Sequence, residues 1–265
     1  MSASVIAQRT GRQLVVIWRP DHHCEARLSD LLAYSGPVIE DDAADAIRAV
    51  CTRVYNYMEI EADAAFQAPI LPDPQPVAGD VYVRSAYSLK SPYHDNRAED
   101  RFLRALRPSA AVLDLARSVT HPSDVAVHIR MATGPGFDHL SYESPDNWPS
   151  ERHDELTEWR GKSDIARFVK RLDALIAAGE VSTIFAATDL DASYAALIDR
   201  YGDRIRYLKR AQFDRSSAQI QAGLADMMLL ASAPLFLAST WSSFSDIAER
   251  LASPMRRVER SGLDF

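Results

Sequence analysis

The C-terminal half of the chain alternates between short apolar runs and longer stretches whose apolar residues recur with the period of a helix. The runs predict strands, and the stretches between them predict amphipathic helices. The predicted strands are 125–130, 181–187, 204–208 and 234–239, and the predicted helices are 163–178, 191–201, 216–231 and 243–252. Strands that alternate with helices of this length form βαβ units, so we expect a parallel sheet with helices on both faces.

The N-terminal half carries a weaker version of the same pattern. It predicts a helix that ends near residue 11, strands at 13–18 and 81–84, and helices at 43–57, 98–107 and 109–119. Four prolines within 68–79 predict an extended connection. The whole pattern indicates an α/β fold of two Rossmann-like halves, which we divide into residues 1–107 and 108–265.

Composition and charge narrow the class of protein. The chain has 265 residues, of which 47% are hydrophobic and 25% charged, which is typical of a soluble globular protein. The sequence contains no apolar run of about 18 residues that predicts a transmembrane helix, and its first residues do not resemble a signal peptide. Cys24 and Cys51 are the only cysteines, so we expect a reducing, cytoplasmic location. A net charge of −7 argues against nucleic acid as a partner.

Polar residues follow three of the predicted strands where they end. They are His128 and Arg130 after the first strand, Thr188 and Asp189 after the second, and Ser239, Thr240, Trp241, Ser242 and Ser243 after the last. Ligands of an open parallel sheet bind beyond the carboxyl ends of its strands. A guanidinium group, several hydroxyls and the amides at a helix start suit a nucleoside diphosphate.

Each of these residues also has a purely structural interpretation. Serines that precede a helix commonly cap it, and Asp189 could cap the helix at 191–201. Arg130 could form a surface ion pair, and His128 could be a histidine of the core. Their joint position at three strand ends is the observation that favours a binding site.

Asp226 is a carboxylate in the otherwise apolar helix 216–231. The helical period predicts that the buried stripe consists of Ile220, Leu224, Met227, Met228 and Ala231, with Asp226 on the neighbouring face. Because an unpaired buried charge is costly, Asp226 is either solvated or paired. If it is paired, it could anchor the 239–243 loop or meet a nucleobase.

The motifs at these strand ends resemble those of a known superfamily. The stretches HIR at 128–130, FAATD at 185–189 and LADMMLLASAPLFLASTWSSFS at 224–245 are similar to the fucosyltransferase-like superfamily, across about residues 123–252. It includes the α1,6-fucosyltransferases and the protein O-fucosyltransferases. The resemblance implies a GT-B-like architecture, a GDP-fucose donor, inversion at the anomeric carbon and no metal or other cofactor.

The resemblance also implies roles for individual residues. Arg130 corresponds to the arginine that grips the β-phosphate and stabilises the departing GDP, and His128 is its motif partner. Asp189 and Asp226 correspond to acidic positions, and Ser242 and Ser243 to hydroxyls on the phosphate side. The expected GDP-sugar-binding residues are Arg130, His128, Thr188, Asp189, Asp226, Ser239, Thr240, Trp241, Ser242 and Ser243, with Arg130 and His128 catalytic. Residues 108–265 would bind the nucleotide sugar, and 1–107 would lie on the acceptor side.

Two features depart from the superfamily pattern. Met131 and Thr133 stand where the α1,6 enzymes continue with a second arginine and, two positions later, an aspartate. The superfamily also opens with a strand and a Gly-rich Asn-Arg loop, and the chain is expected to lack both. Three hypotheses stay open. One is a glycosyltransferase that acts on a glycan, lipid-linked glycan or peptide, and another is a non-catalytic nucleotide- or glycan-binding remnant. The third is a different α/β transferase whose motifs match by chance, which predicts no GDP binding.

Two further patterns are open to more than one interpretation. Asp189-Leu190-Asp191 spells the D-x-D of metal-dependent glycosyltransferases, but the second aspartate stands where a helix begins, so we expect no metal. The insert 134–162 contains aromatic residues, among them Trp148 and Trp159, that could stack on a sugar or a base. It could equally be a packed surface loop.

Overall fold

The computed structural model divides the chain into two compact units. It describes residues 1–58, 61, 63–73, 77–132, 150–210, 214–252 and 256–265. The first unit comprises Met1–Asp21 and Arg27–Arg107, and the second comprises His22–Ala26 and Pro108–Phe265. The segment 22–26 therefore packs with the second unit although it lies within the 1–107 half of the sequence.

The first unit contains two small parallel sheets. Its elements are α1 (Ser2–Arg9), β1 (Val16–Ile17), α2 (Leu28–Leu31), β2 (Val38–Ile39), α3 (Ala43–Val50), β3 (Arg53–Asn56), β4 (Val81–Arg84) and α4 (Asn96–Ala105). Strand β1 pairs with β2, and β3 pairs with β4, both in parallel. A buried cluster of Ile6, Tyr57, Ile70, Leu71 and Leu89 forms its core.

Several predictions for the first unit were wrong in extent. The helix predicted over 43–57 ends at Val50, and the residues after it form β3, whose Val54 and Tyr55 favour a strand once β4 is available for pairing. The strand predicted over 13–18 is reduced to Val16–Ile17. The sequence pattern missed α2 and β2, which are too short to show a period.

The second unit is built on a five-stranded parallel sheet. Its strands are β5 (Val125–Ile129), β6 (Ile184–Thr188), β7 (Ile205–Arg206), β8 (Leu235–Ala238) and β9 (Arg257–Arg260), in the order β7-β6-β5-β8-β9. Every neighbouring pair is parallel, and Val125 on the central strand aligns with Ile184 on one side and Leu235 on the other. The carboxyl ends of all five strands therefore lie along one edge.

Helices cover both faces of this sheet. The α-helices of the second unit are α5 (Ala110–Arg117), α6 (Ser150–Lys162), α7 (Ile165–Ala177), α8 (Asp191–Tyr201), α9 (Ser217–Ser232) and α10 (Ser243–Leu251), of which five pack on the sheet. Helices α5, α9 and α10 pack on the face that carries Ala126 and Phe236, and α7 and α8 pack on the face of Val125 and Val127. Alternate residues of a strand point to opposite faces of the sheet. Because helices bury both faces, most residues of the inner strands are apolar, and these strands appear as continuous apolar runs. The predicted α/β class, with parallel sheets and helices on both faces, is confirmed.

Three details of the second unit differ from the sequence prediction. Helix α6 occupies the end of the stretch 134–162 that was taken as an insert, and residues 134–149 of that stretch, including Trp148, lie outside the described residues. Strand β9 was not predicted. The buried residues of α9 are Ala222, Ala225, Asp226, Leu229 and Leu230 rather than the predicted stripe. In the described parts of the chain, no helix is both long and apolar enough to cross a membrane.

Candidate functional site

The ends of β5 and β8 are joined by the side chain of Ser239. Its hydroxyl donates to the carbonyl oxygen of His128 over 2.8 Å, and it accepts from the backbone N–H of Arg130 over 2.9 Å. Ser239 is fully buried. Its hydroxyl therefore fixes the backbone from which Arg130 leaves the strand, and this geometry gives Ser239 a positioning role.

Asp189, at the end of β6, holds Arg130 and the two residues after it. One carboxylate oxygen accepts from the Arg130 guanidinium and from the Ala132 backbone N–H at 2.9 Å, and the other accepts from the Met131 N–H at 3.2 Å. The Arg130 side chain is only 23% exposed. Asp189 thus anchors Arg130 within the site, and Arg130 forms the ion pair that one interpretation expected, in a partly buried rather than an exposed position.

Asp189 does not cap the following helix. Helix α8 begins at Asp191 and has Leu190 in its N-cap position. The N–H of Leu190 donates to Oγ1 of buried Thr188 over 3.3 Å, so Thr188 shapes this turn. Asp191 is exposed, whereas both oxygens of Asp189 already accept hydrogen bonds.

His128 is a buried residue that packs β5 against α10. Its Nδ1 lies 2.8 Å from Oγ of Ser245, and its ring stacks on Phe244 with centroids 4.6 Å apart. Burial lowers the pKa of the imidazole to about 3; Asp189 opposes this shift, and nearby arginines add to it. The ring is therefore neutral near pH 7, and a positive charge at this place has to come from arginine.

Asp226 is buried in α9 and forms an ion pair with Arg210, which lies in the segment after β7. The side chains are 3% and 11% exposed, respectively. The interpretation of Asp226 as a solvated carboxylate is wrong, and the paired alternative is correct. Its second oxygen, Oδ1, has no hydrogen-bond partner among the described residues.

Two further arginines come close enough to Arg130 to change the charge of the site. Burial lowers the pKa of Arg160 to about 10, with a smaller contribution from the positive charge of Arg130. Burial also lowers the pKa of Arg215, and Arg130 again contributes. Arg160 and Arg210 both act on the buried ring of His128. Sequence patterns do not reveal Arg160, Arg210 and Arg215, because none of them follows a strand directly or belongs to a motif.

The arginines outnumber the carboxylates in this part of the second unit. The guanidinium groups are those of Arg130, Arg160, Arg210 and Arg215, and the buried carboxylates are those of Asp189 and Asp226. Arg160 and Arg215 retain buried guanidinium nitrogens that have no hydrogen-bond partner within the described chain. Buried unpaired cations are costly, so the arrangement is suited to an anion with several oxygens.

The loop after β8 brings the remaining predicted residues to the same edge. Thr240 is held by Ser261: its Oγ1 donates to the Ser261 carbonyl oxygen, and its backbone N–H donates to Oγ of Ser261 over 3.3 Å. Trp241 is 40% exposed, has a φ of 55° and stacks on Trp159 with ring centroids 6.2 Å apart. Ser242 occupies the N-cap position of α10, but its side chain makes no capping hydrogen bond. Ser243 is exposed in the first turn.

Potential metal ligands are grouped at one place in the described part of the chain. These are the consecutive residues Asp21, His22 and His23, all of them exposed. Exposed acidic and imidazole groups are common without a bound ion, and this group carries no argument for a metal.

Neither a protein-family model nor a curated protein matches the sequence, whereas solved structures of similar fold do. The crystal structure of NodZ alpha-1,6-fucosyltransferase soaked with GDP-fucose aligns with a TM-score of 0.59 and 17% identity, covering 95% of this chain and 86% of that one. Fucosyltransferase NodZ from Bradyrhizobium aligns with a TM-score of 0.58 and 18% identity over 95% and 87% of the two chains. The NodZ structure co-crystallized with GDP gives a TM-score of 0.58 at 17% identity. The chain therefore has a fucosyltransferase-like fold.

Proposed function

We propose that the protein is a glycosyltransferase that moves fucose or a related sugar from a GDP-sugar to an acceptor hydroxyl, with inversion and without a metal. The acceptor would be a glycan, a lipid-linked glycan or a peptide. The observation that carries the proposal is the surplus of guanidinium groups at the carboxyl edge of the parallel sheet in the second unit. Nucleotides bind at this edge in open α/β sheets, and the structures of similar fold include one soaked with GDP-fucose and one co-crystallized with GDP.

The proposed transfer reaction depends mainly on positive charge near the departing phosphate. When the bond between the sugar and GDP breaks, negative charge develops on the β-phosphate, and a preorganised cation lowers the energy of that state. Arg130 is held for this role by Asp189, and its backbone is fixed by Ser239. Arginines in fixed positions supply the charge that a divalent metal supplies elsewhere, so we expect full activity in the presence of a chelator.

Inversion requires the acceptor hydroxyl to attack in line, opposite the departing phosphate. A general base would speed this step. His128 is poorly suited, because burial lowers its pKa to about 3 and its Nδ1 already contacts Ser245. In this proposal Arg130 is the catalytic residue, and His128 acts by positioning β5 against α10.

A second candidate function is nucleotide or glycan binding without turnover. The observation that favours it concerns proton transfer. Among the described residues around Arg130, Asp189 is occupied by three donors, Asp226 is paired with Arg210, and His128 is buried. None of these groups is positioned to act as a general base.

Calorimetric titration with GDP, UDP and ADP tests the proposal, with Arg130→Ala as the variant and Arg200→Ala as the matched control. Arg200 pairs with Asp173 at an exposed position of the second unit. We expect selective GDP binding that Arg130→Ala weakens by about 10- to 100-fold, in line with the loss of a charged hydrogen bond, and that Arg200→Ala leaves unchanged. Failure of the wild type to bind any of the three nucleotides would overturn the proposal.

Turnover separates the two candidate functions. Incubation with GDP-fucose, with and without a chelator, should release GDP and fucose slowly even before an acceptor is known, since water can take the place of the acceptor. Binding of GDP-fucose without any release, in mixtures that contain glycan and peptide acceptors, would favour the non-catalytic candidate.

A further inference from the structure

The last turn of α6 is fixed to the carboxyl edge of the sheet by two contacts. Trp159 stacks on Trp241 of the loop after β8, with the ring planes inclined by 26°. Just beyond the helix, Oγ of buried Ser163 lies 3.1 Å from Oγ of Ser261, the residue that also holds Thr240. The position of this turn relative to the sheet edge is therefore determined by contacts on both sides of Arg160.

Arg160 lies between these two contacts in the sequence, and part of its guanidinium group is buried. Its Nε and Nη1 atoms are buried and have no hydrogen-bond partner among the described residues. Burial lowers its pKa only to about 10, so the group stays protonated at neutral pH. A buried guanidinium that keeps its charge and lacks acceptors is unfavourable unless an anion completes it.

We propose that Arg160 is a second phosphate-binding arginine, which reaches the site from α6 and holds the diphosphate of the nucleotide sugar together with Arg130. This inference rests on the proposed function, because it assigns the ligand of the same site. Arg130 and Arg160 differ in the hydrogen-bond acceptors that their guanidinium groups already contact. Nη1 of Arg130 is engaged by Asp189 and by the carbonyl of Ala132, whereas Nε and Nη1 of Arg160 have donors to offer.

The consequence is a preference for two phosphates over one. Two guanidinium groups fixed on separate elements match a diphosphate better than a monophosphate, because each planar donor set can engage its own oxygens. Removal of Arg160 should therefore weaken GDP binding much more than GMP binding. A purely structural role for Arg160 would change both affinities alike.

The test compares GDP, GMP and inorganic pyrophosphate by calorimetry on the full chain, using Arg160→Ala, Arg160→Lys and the control Arg167→Ala. Arg167 is exposed on α7, so its loss changes net charge equally without touching the site. We expect Arg160→Ala to weaken GDP and pyrophosphate binding by about 10- to 100-fold and GMP binding by less than about threefold. Arg160→Lys should restore part of the loss, since it keeps the charge without the planar donors.

The outcomes distinguish this inference from the function on which it rests. If Arg160→Ala binds GDP like the wild type while Arg130→Ala does not, the assignment of Arg160 is overturned and the proposed function stands. If the wild type binds pyrophosphate through Arg160 but shows no preference for GDP, the arginine pair is supported and the donor is wrong. Equal losses for GDP and GMP, or a wild type that binds none of the probes, would overturn the role of Arg160. Thermal unfolding of each variant shows whether it is folded.

Discussion

Arg130 and Asp189 form an ion pair across the carboxyl ends of the adjacent strands β5 and β6, and the same carboxylate accepts the backbone N–H groups of Met131 and Ala132. One side chain therefore fixes both the charge of the site and the path of the chain that leaves it. The stability of the second unit should depend strongly on this aspartate.

Asp189→Ala should lower the free energy of unfolding by about 3 kcal/mol, because it leaves the half-buried guanidinium of Arg130 without its partner. Asp173→Ala is the matched control, since Asp173 pairs with Arg200 at a far more exposed position and should cost less than about 1 kcal/mol. Urea denaturation of both variants measures the difference. Equal effects of the two substitutions would show that Asp189 contributes no more than a surface ion pair.

Asp226 and Arg210 should show strong coupling in a double-mutant cycle. Each single replacement, Asp226→Leu or Arg210→Met, leaves a buried charge unpaired and should cost about 3–5 kcal/mol. The double variant should be more stable than either single variant, because apolar groups can replace a buried ion pair at little cost. Thermal and urea unfolding of the four proteins give the coupling energy, and additive losses would contradict the pairing.

His128 should make the protein less stable in mild acid. Its folded pKa of about 3 lies below the ordinary value of 6.5. The stability from the neutral buried ring is therefore complete above about pH 6.5 and declines as the pH falls towards 3. Between pH 7 and pH 5 this group alone should reduce the free energy of unfolding by about 2 kcal/mol.

The comparison of His128→Gln with His22→Gln isolates this contribution, because His22 is exposed. Urea unfolding at a series of pH values should give a flatter pH dependence for His128→Gln than for the wild type. The His22→Gln profile should follow the wild type. An unchanged profile in His128→Gln would mean that the imidazole titrates in the folded protein as it does in the unfolded chain.

Asp124 should stabilise the start of β5 through the turn before β6. One of its oxygens accepts from the N–H and hydroxyl of Ser182 and from the N–H of Thr183, and these bonds lower its pKa to about 2. Its contribution is therefore present above about pH 4 and is lost as the pH falls towards 2. Since the site is largely solvated, Asp124→Ala should cost about 1 kcal/mol at pH 7. Asp114→Ala, at an exposed position of α5, is the control for urea unfolding.

The strand ends of the second unit could be predicted from the sequence because parallel strands buried on both faces appear as continuous apolar runs. The strand predicted over 125–130 is observed as Val125–Ile129, with Arg130 directly after it. Once the strands are parallel, the meeting of Arg130, Asp189 and Ser239 at one edge follows from topology alone. This part of the candidate site can be predicted without knowledge of side-chain contacts.

Arg160, Arg210 and Arg215 could not be predicted in the same way. They reach the site from a helix and from loops, so their proximity depends on tertiary packing and leaves no period in the sequence. The predicted orientation of α9 was wrong for a related reason. Asp226 can face the interior only because Arg210 neutralises it, and a hydrophobic pattern assigns a lone aspartate to the solvent side.

The surplus of arginines also affects the lifetime of the protein. Like charges held close together oppose folding, and an anion bound among these arginines would offset that repulsion. Binding to the folded state shifts the unfolding equilibrium in proportion to the logarithm of ligand concentration. Proteases in cells act mainly on unfolded molecules. If the proposed nucleotide sugar binds there, the amount of this protein that persists should rise and fall with the supply of that ligand, through protection from degradation rather than through synthesis.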